Sequence, residues 1–372
     1  MSDFIPVNEP VLDGNEKKYL NQCIDTGWIS SEGPFIREFE EKFSARVGRK
    51  HGIAVCNGTA ALDAAVAALD IGPGDEVILP TFTIISCASA ISRLGAIPVV
   101  VDCTPDTWNI DVSRIEERIT TRTRAIMAVH IYGLPVDMDP LFEIAERHGL
   151  TVIEDAAEMI GQTYKGRPCG SLGQISTFSF YPNKHVTTGE GGMIVTDDDA
   201  LAERCRSLRN LTMKASRRFI HDELGWNFRM TNLQAAVGLA QLERLDEFVP
   251  KKRSIFDLYT KLLSGEKALQ LPVASTDYAT NINWVFGVVI DDKVPFDAEV
   301  AMRKLAEKGV GTRPFFWPMH EQPVYRAMGL FKDESYPNAE KIARRGFYLP
   351  SGLALTDEQV VRVVDAVKEV FA

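Results

Sequence analysis

The sequence predicts an α/β fold, in which a large domain carries a mostly parallel seven-stranded sheet and a smaller α+β domain follows it. Three observations predict this. Seven short apolar runs rich in Val and Ile recur from about residue 50, and amphipathic stretches of helical length separate them. Near residue 250 that rhythm stops and a different pattern begins. A chain of 372 residues is also longer than one hydrophobic core usually supports.

In chain order the strand candidates are GIAVC (52–56), EVILP (76–80), IPVVVD (97–102), RAIMAVHIYG (124–133), TVIEDAAE (151–158), STFSF (176–180) and GGMIVT (191–196). Helical patterns such as Thr59 to Leu69 and Met138 to His148 lie between them, as crossovers between parallel strands require. The expected domains are 1–250, the large α/β unit, and 251–372, the small α+β unit. A helical stretch from Asn232 to Arg253 leads into the second unit. It is followed by the apolar run NWVFGVVID, a helix-like VPFDAEVAMRKLAEKG and a last helix from Thr356 onward. Asn210 to Trp226 is polar, basic and without periodicity, and is expected to be a loop near a site.

Composition excludes some functions. Charged residues make up 25% of the chain and its net charge is -10, with both signs interspersed, so there is no basic stripe to hold a nucleic-acid backbone. The opening residues MSDFIPVNEPVLDGNEKKYL contain acids and no long apolar region, and no later window has the length and apolarity of a membrane span. The expectation is a soluble, cytoplasmic protein with neither a nucleic-acid nor a membrane partner. Six cysteines without a CxxC pair fit neither a disulfide framework nor a zinc site.

In an open α/β sheet ligands sit beyond the carboxyl ends of the strands, so the residues after each apolar run carry the functional signal. CNGTAAL sets Gly58 and Thr59 at a helix start, where free N–H groups and the helix dipole favour a phosphate, although an Asn-Gly turn that merely caps a helix has the same letters. TVIEDAAE closes a buried strand with Glu154 and Asp155, and a carboxylate there is costly without a cationic partner or solvent. SFYPNKHVTTGEGGM puts Lys184 five residues after Ser179 and just before Thr187, Thr188, Gly189, Gly191 and Gly192. Partial burial at a strand end lowers a lysine's pKa toward the nucleophilic amine that a Schiff base needs. A lone lysine of this kind is usually a surface charge. An anion cradle, a buried acid and a lysine in that chain order form a more specific set.

TGWISSEGPFIREFE, NGTAAL, GPGDEVILP, VHIYGLPVDMDP, VIEDAAE, FSFYPNKHVTTGEGG, GWNFRMTNLQAA and RPFFWPMH together cover most of the chain. On these motifs the sequence resembles the nucleotide-sugar aminotransferase family, fold-type I enzymes that use pyridoxal 5'-phosphate and pass through its pyridoxamine 5'-phosphate form. The resemblance implies that Lys184 holds the cofactor as a Schiff base and then moves the proton between cofactor and substrate carbons. Asp155 is implied to pair with the pyridine nitrogen and Glu158 to meet the ring's phenolic oxygen. Gly58, Thr59 and Ser179 are implied as the phosphate cradle, with Asn227 reaching the phosphate of the partner subunit in a homodimer with shared active sites. Where relatives often carry an aromatic residue against the cofactor ring, this chain has Ile84.

The same resemblance implies L-glutamate as amino donor and a nucleotide-linked keto sugar as acceptor. Several segments point to amination at C4 of GDP-4-keto-6-deoxymannose, in polysaccharide or O-antigen biosynthesis. A UDP- or dTDP-linked keto sugar, aminated at C3 or C4, is the alternative. A sugar-dehydratase branch of the family replaces the lysine by histidine. Here lysine stands at that position, with His185 beside it. Candidate substrate contacts are His185, Arg229, Arg313 and His320, together with Lys214, Arg217 and Arg218 in the polar loop. His320 could equally be capped within a small-domain core. No metal is expected.

Overall fold

The computed structural model describes residues 4–372 apart from 215, 217 and 218. Its central sheet has seven strands: β1 (His51–Val55), β2 (Glu76–Pro80), β3 (Ile97–Val101), β4 (Thr123–Val129), β5 (Thr151–Asp155), β6 (Ile175–Ser179) and β7 (Gly192–Thr196). They lie in the order β1-β7-β6-β5-β4-β2-β3. All neighbours from β6 through β3 pair parallel, while β7 runs antiparallel to both β6 and β1. All seven predicted runs are therefore strands of one sheet.

The runs are continuously apolar because both faces of the sheet are covered. Alternate residues point to opposite sides. Ile53, Val55, Val77, Leu79 and Ile153 join one core, against helices α3 (Gly58–Ala68) and α4 (Ile85–Arg93). Ala54, Ile78, Ile126 and Val152 join a second, on the side of α1 (Glu16–Thr26), α2 (Pro34–Arg46), α5 (Met138–His148) and α7 (Asn232–Leu242). Helix α6 (Asp199–Arg209) follows β7 and packs with α3 and β1.

The expected helix from Asn232 to Arg253 is two helices. It breaks at Glu243 and Arg244, and α8 (Leu245–Leu263) then runs without interruption past residue 250, with Pro250 inside it. Leu245 packs into the second core, whereas Ile255, Phe256, Tyr259 and Leu263 pack into a third. That third core lies under a four-stranded antiparallel sheet in the order β8 (Leu269–Gln270), β9 (Phe286–Ile290), β11 (Gly346–Leu349) and β10 (Arg313–Pro314). Helices α9 (Ala298–Glu307), α10 (Pro323–Ala327), α11 (Pro337–Arg345) and α12 (Asp357–Phe371) belong to the same half. Thr356 caps α12 through a reciprocal box with Gln359. Ile5, from the far end of the chain, is buried in this third core and bridges to Val310.

Candidate active site

A cavity of about 510 Å³ opens beyond the carboxyl ends of the parallel strands. Residues that follow β1 (Gly58, Thr59), β2 (Thr83, Ile84), β4 (His130), β5 (Glu158) and β6 (Lys184) line it, together with Asp155 and Ser179 at the last positions of β5 and β6. Trp284, Phe316 and Tyr348 close it from the C-terminal half.

One wall is built to receive an anion. The Asn57 side chain accepts the Ala60 N–H at 2.8 Å and so caps α3, which leaves the N–H groups of Gly58 and Thr59 without a partner in the helix. A Cβ at position 58 would come within 2.8 Å of the Ser179 Cβ, so only glycine lets the helix start approach Ser179. The Thr59 and Ser86 hydroxyls hydrogen-bond at 2.9 Å. Backbone donors and hydroxyls meet here at the positive end of a helix dipole.

The lysine is placed by the turn after β6. The Thr188 N–H and the Thr187 hydroxyl both donate to the Phe180 carbonyl, at 3.0 and 2.9 Å, and fold the chain back into β7. At position 192 a Cβ would stand 2.5 Å from the Asn57 carbonyl oxygen, so a glycine is required where β7 passes the cradle. Inside this turn the Lys184 side chain is only 9% exposed. Its Nζ lies 3.9 Å from Glu158 Oε1 and 3.8 Å from the centroid of the Trp284 ring. Burial lowers the pKa of Lys184 despite the opposing charges of Glu158 and Asp155. Burial also pushes Glu158 up to about 8, although Lys184 and the Tyr132 N–H act against it. Burial thus works against the charged form of both partners.

Glu154 and Asp155 are neighbours with different surroundings. Glu154 faces away from the cavity and accepts hydrogen bonds from the N–H groups of Gly170 (2.5 Å), Leu172 (2.9 Å) and Gly173 (3.1 Å), from the Ser176 hydroxyl (3.0 Å) and from His130 Nε2 (3.1 Å). Burial alone would raise its pKa, but the His130 and backbone donors outweigh it and hold the carboxylate below its ordinary value. His130 Nδ1 accepts the Val136 N–H at 3.0 Å, so the ring proton sits on Nε2 and is given to Glu154. Asp155 has only the Ala157 N–H at 3.0 Å and the Cys87 thiol at 3.1 Å, and burial raises its pKa. It is a buried acid with unused accepting capacity on the cavity side.

Other candidates lie elsewhere. Ile84 lines the cavity and is 45% exposed, whereas Phe82 is buried against Tyr132, Phe315 and Phe316. Asn227 is exposed and does not line the cavity; its Oδ1 accepts from Arg229 Nε at 2.9 Å, on a segment that bridges to β1 at the sheet edge. Arg229 lines a separate cleft. Arg313 lines a smaller cavity of about 240 Å³ that shares Tyr181, Asn183, Trp284 and Tyr348 with the main one. His320 is buried, with Thr81 Oγ1 at 2.8 Å from Nδ1 and Glu340 at 3.1 Å from Nε2, and does not line the cavity. His185 is also buried outside it, and burial, aided by Lys252, lowers its pKa to about 3. Lys214 pairs with Asp222, and Arg217 and Arg218 lie outside the described residues. The sequence reading overlooked Cys87, His130 and Trp284. His130 and Trp284 lie inside the quoted runs VHIYGLPVDMDP and NWVFGVVID, and the place of His130 just after a strand was the usable signal.

Two buried polar atoms in the cavity wall, Thr177 Oγ1 and Asn183 Oδ1, have no hydrogen-bond partner. With the close approach at Gly58 and the open acid at Asp155, the wall fits a phosphorylated, nitrogen-containing ring attached near Lys184. An amine whose pKa burial lowers is the kind of nucleophile that adds to carbonyl groups, and the class this geometry defines is that of enzymes holding a phosphorylated carbonyl cofactor on a lysine. The chain belongs to the DegT/DnrJ/EryC1/StrS aminotransferase family, whose profile matches residues 10–368. It is 43% identical over 369 residues to a GDP-perosamine synthase of Escherichia coli O157:H7, covering 99% of both chains. It is 45% identical over 375 residues to a GDP-perosamine synthase of Caulobacter vibrioides, covering 100% of both. Among solved structures it is similar to a putative sugar aminotransferase of Streptococcus pneumoniae in its PLP form, with a TM-score of 0.92 and 26% identity over 99% of this chain and 98% of that one.

Proposed function

We propose that this protein is a pyridoxal 5'-phosphate-dependent aminotransferase that moves an amino group from L-glutamate to a nucleotide-linked 4-keto-6-deoxy sugar, converting GDP-4-keto-6-deoxymannose to GDP-perosamine. The observation that carries the reading is the Lys184 amine, nearly buried, depressed in pKa and set beside Glu158 in the cavity. The full-length similarity to two GDP-perosamine synthases supports the choice of substrate.

Gly58, Thr59 and Ser179 would hold the phosphate, Asp155 the ring nitrogen and Lys184 the carbonyl carbon. When bound, the cofactor supplies a ring that takes up the electron pair left as a proton departs the donor's α-carbon. Lys184 Nζ would be the base that receives this proton and, once protonated, the acid that gives it up again from the same side. Glu158 Oε1 keeps a second proton within reach of that amine. Asp155, carrying negative charge when opposed by a ring N–H, favours the protonated ring nitrogen. Trp284, Phe316 and Tyr348 keep bulk water off the reacting atoms. Over a full cycle glutamate becomes 2-oxoglutarate, and the sugar's carbonyl oxygen leaves as water in the half in which its nitrogen arrives.

Exposed Asn227, on a segment at the sheet edge, supports a homodimer in which each subunit completes its partner's site. The exposed apolar residues Trp28 and Ile29 point the same way. The dehydratase reading requires a histidine in the lysine's place. Lys184 lines the cavity here and His185 does not, which favours transamination.

The test is a pair of half-reactions. The protein, loaded with pyridoxal phosphate, is exhausted with L-glutamate, freed of donor and given GDP-4-keto-6-deoxymannose. The expected result is return of the original visible spectrum with GDP-perosamine in the mass spectrum. A clean first half followed by no second half would overturn the assigned sugar, and no spectral change with glutamate would overturn the assigned donor.

A further inference from the structure

A second lysine is more deeply buried than Lys184 and has no place in the chemistry above. Lys252 is 2% exposed, on the helix α8 that joins the two halves of the chain. Its ammonium donates to the Trp284 carbonyl at 2.8 Å and to the Ser351 carbonyl at 2.5 Å. Trp284 directly precedes the run into β9, and Ser351 follows β11, so one side chain ties the connecting helix to both central strands of the small sheet. Trp284 is fixed at its other end too, because its indole N–H donates to the Asn183 carbonyl at 2.9 Å, one residue before Lys184. Between these two ties the ring stands against the Lys184 amine at 3.8 Å. Burying a lysine is costly, and a methionine would fill the same volume without that cost. Its hydrogen bonds are what the position retains.

We infer that Lys252 is a positioning residue: acting through the main chain of Trp284, it holds the indole ring against Lys184 and so sets the reactivity of that amine. A lysine at this site also repels a charged Lys184, and burial with that repulsion lowers the pKa of Lys252 to about 7. The two effects have opposite signs. Loss of the ring contact removes a group that stabilises the Lys184 ammonium and makes the amine more nucleophilic. Loss of the neighbouring charge makes it less so, but the ring is in direct contact with the amine at 3.8 Å, so its loss sets the sign in K252M.

The inference rests on the role given to Lys184, but its test needs no cofactor. The cofactor-free protein is treated with a trace of acetic anhydride at a fixed pH, and acetylation of Lys184 is measured by mass spectrometry relative to the exposed lysines. K252M is expected to accelerate acetylation of Lys184 about threefold or more, and W284L by at least as much. K252R, which keeps two donors and the charge, is expected to stay within about twofold of the parent. The double variant K252M/W284L is expected to be no faster than W284L alone, because one effect passes through the other. A slowed or unchanged Lys184 in folded K252M, or multiplying effects in the double variant, would overturn the inference. If K252M does not fold, W284L and K252R carry the test, and an unmoved Lys184 in W284L overturns it.

Discussion

The two sides of the strand end at Glu154 and Asp155 differ in how completely the fold satisfies them. On the Glu154 side the carboxylate meets backbone N–H groups at 170, 172 and 173, the Ser176 hydroxyl and His130, and is held ionised. On the Asp155 side it meets one N–H and one thiol, and its pKa rises. Adjacent residues of a strand point to opposite faces, so a single step along the chain separates a carboxylate that holds structure from one left open to a ligand. The lesson is that a buried charge marks a binding site when its donors are missing.

The sharpest break of this comparison is at the lysine that faces the open side. Lys184→Ala is expected to lower transamination by at least about 10³-fold while leaving the unfolding midpoint of the cofactor-free chain nearly unchanged, as followed by steady-state rates and urea titration. Next, the two acids are expected to exchange signatures. Asp155→Asn should cost roughly 10²-fold or more in kcat/KM with little loss of stability, because the charge proposed to face the ring nitrogen is gone. Glu154→Gln should destabilise the cofactor-free chain by roughly 2–4 kcal/mol, because its amide nitrogen would face donors. Equal stability losses in the two variants would erase the contrast.

Much of this arrangement was legible in the sequence because it is local. The seven strands announced themselves as Val- and Ile-rich runs, and Lys184 lay in a glycine-rich turn whose letters set its backbone. The break at Glu243 and Arg244 was not legible, since apolar residues keep helical spacing across it. Nor were the donors to Glu154, which lie 16 to 24 residues away in the chain. Trp284 is a hundred residues from Lys184 and reaches it only through the packing of one half of the chain on the other. His320 carried the opposite hazard: it stood among the candidate substrate contacts, and the structure ties its ring to Thr81 and Glu340 instead.

Two smaller effects sharpen the comparison. His185 is buried with its Nε2 unpaired, and its folded pKa of about 3 lies below the ordinary 6.5. The unfolded chain therefore binds a proton that the folded chain refuses, so stability is whole above about pH 6.5 and declines as pH falls toward about 3. Between pH 8 and pH 5 the loss from this group is about 2 kcal/mol, and His185→Leu should remove that part of the slope in urea titrations at each pH. Smallest is Cys87→Ala, which takes away the thiol donor on Asp155 and is expected to change kcat by about threefold to tenfold, with Cys87→Ser closer to the parent.

The central claim is that the fold prepares Lys184 for the cofactor. Lys252 is the demanding control, since it too is buried and depressed in pKa but does not line the cavity and is tied to the Trp284 and Ser351 carbonyls. The most direct measurement is to incubate the protein with pyridoxal 5'-phosphate, reduce with borohydride and locate the attached cofactor by peptide mass spectrometry. One stoichiometric attachment, on Lys184, is expected. Attachment on Lys252 or another lysine, or none on the folded protein, would contradict it.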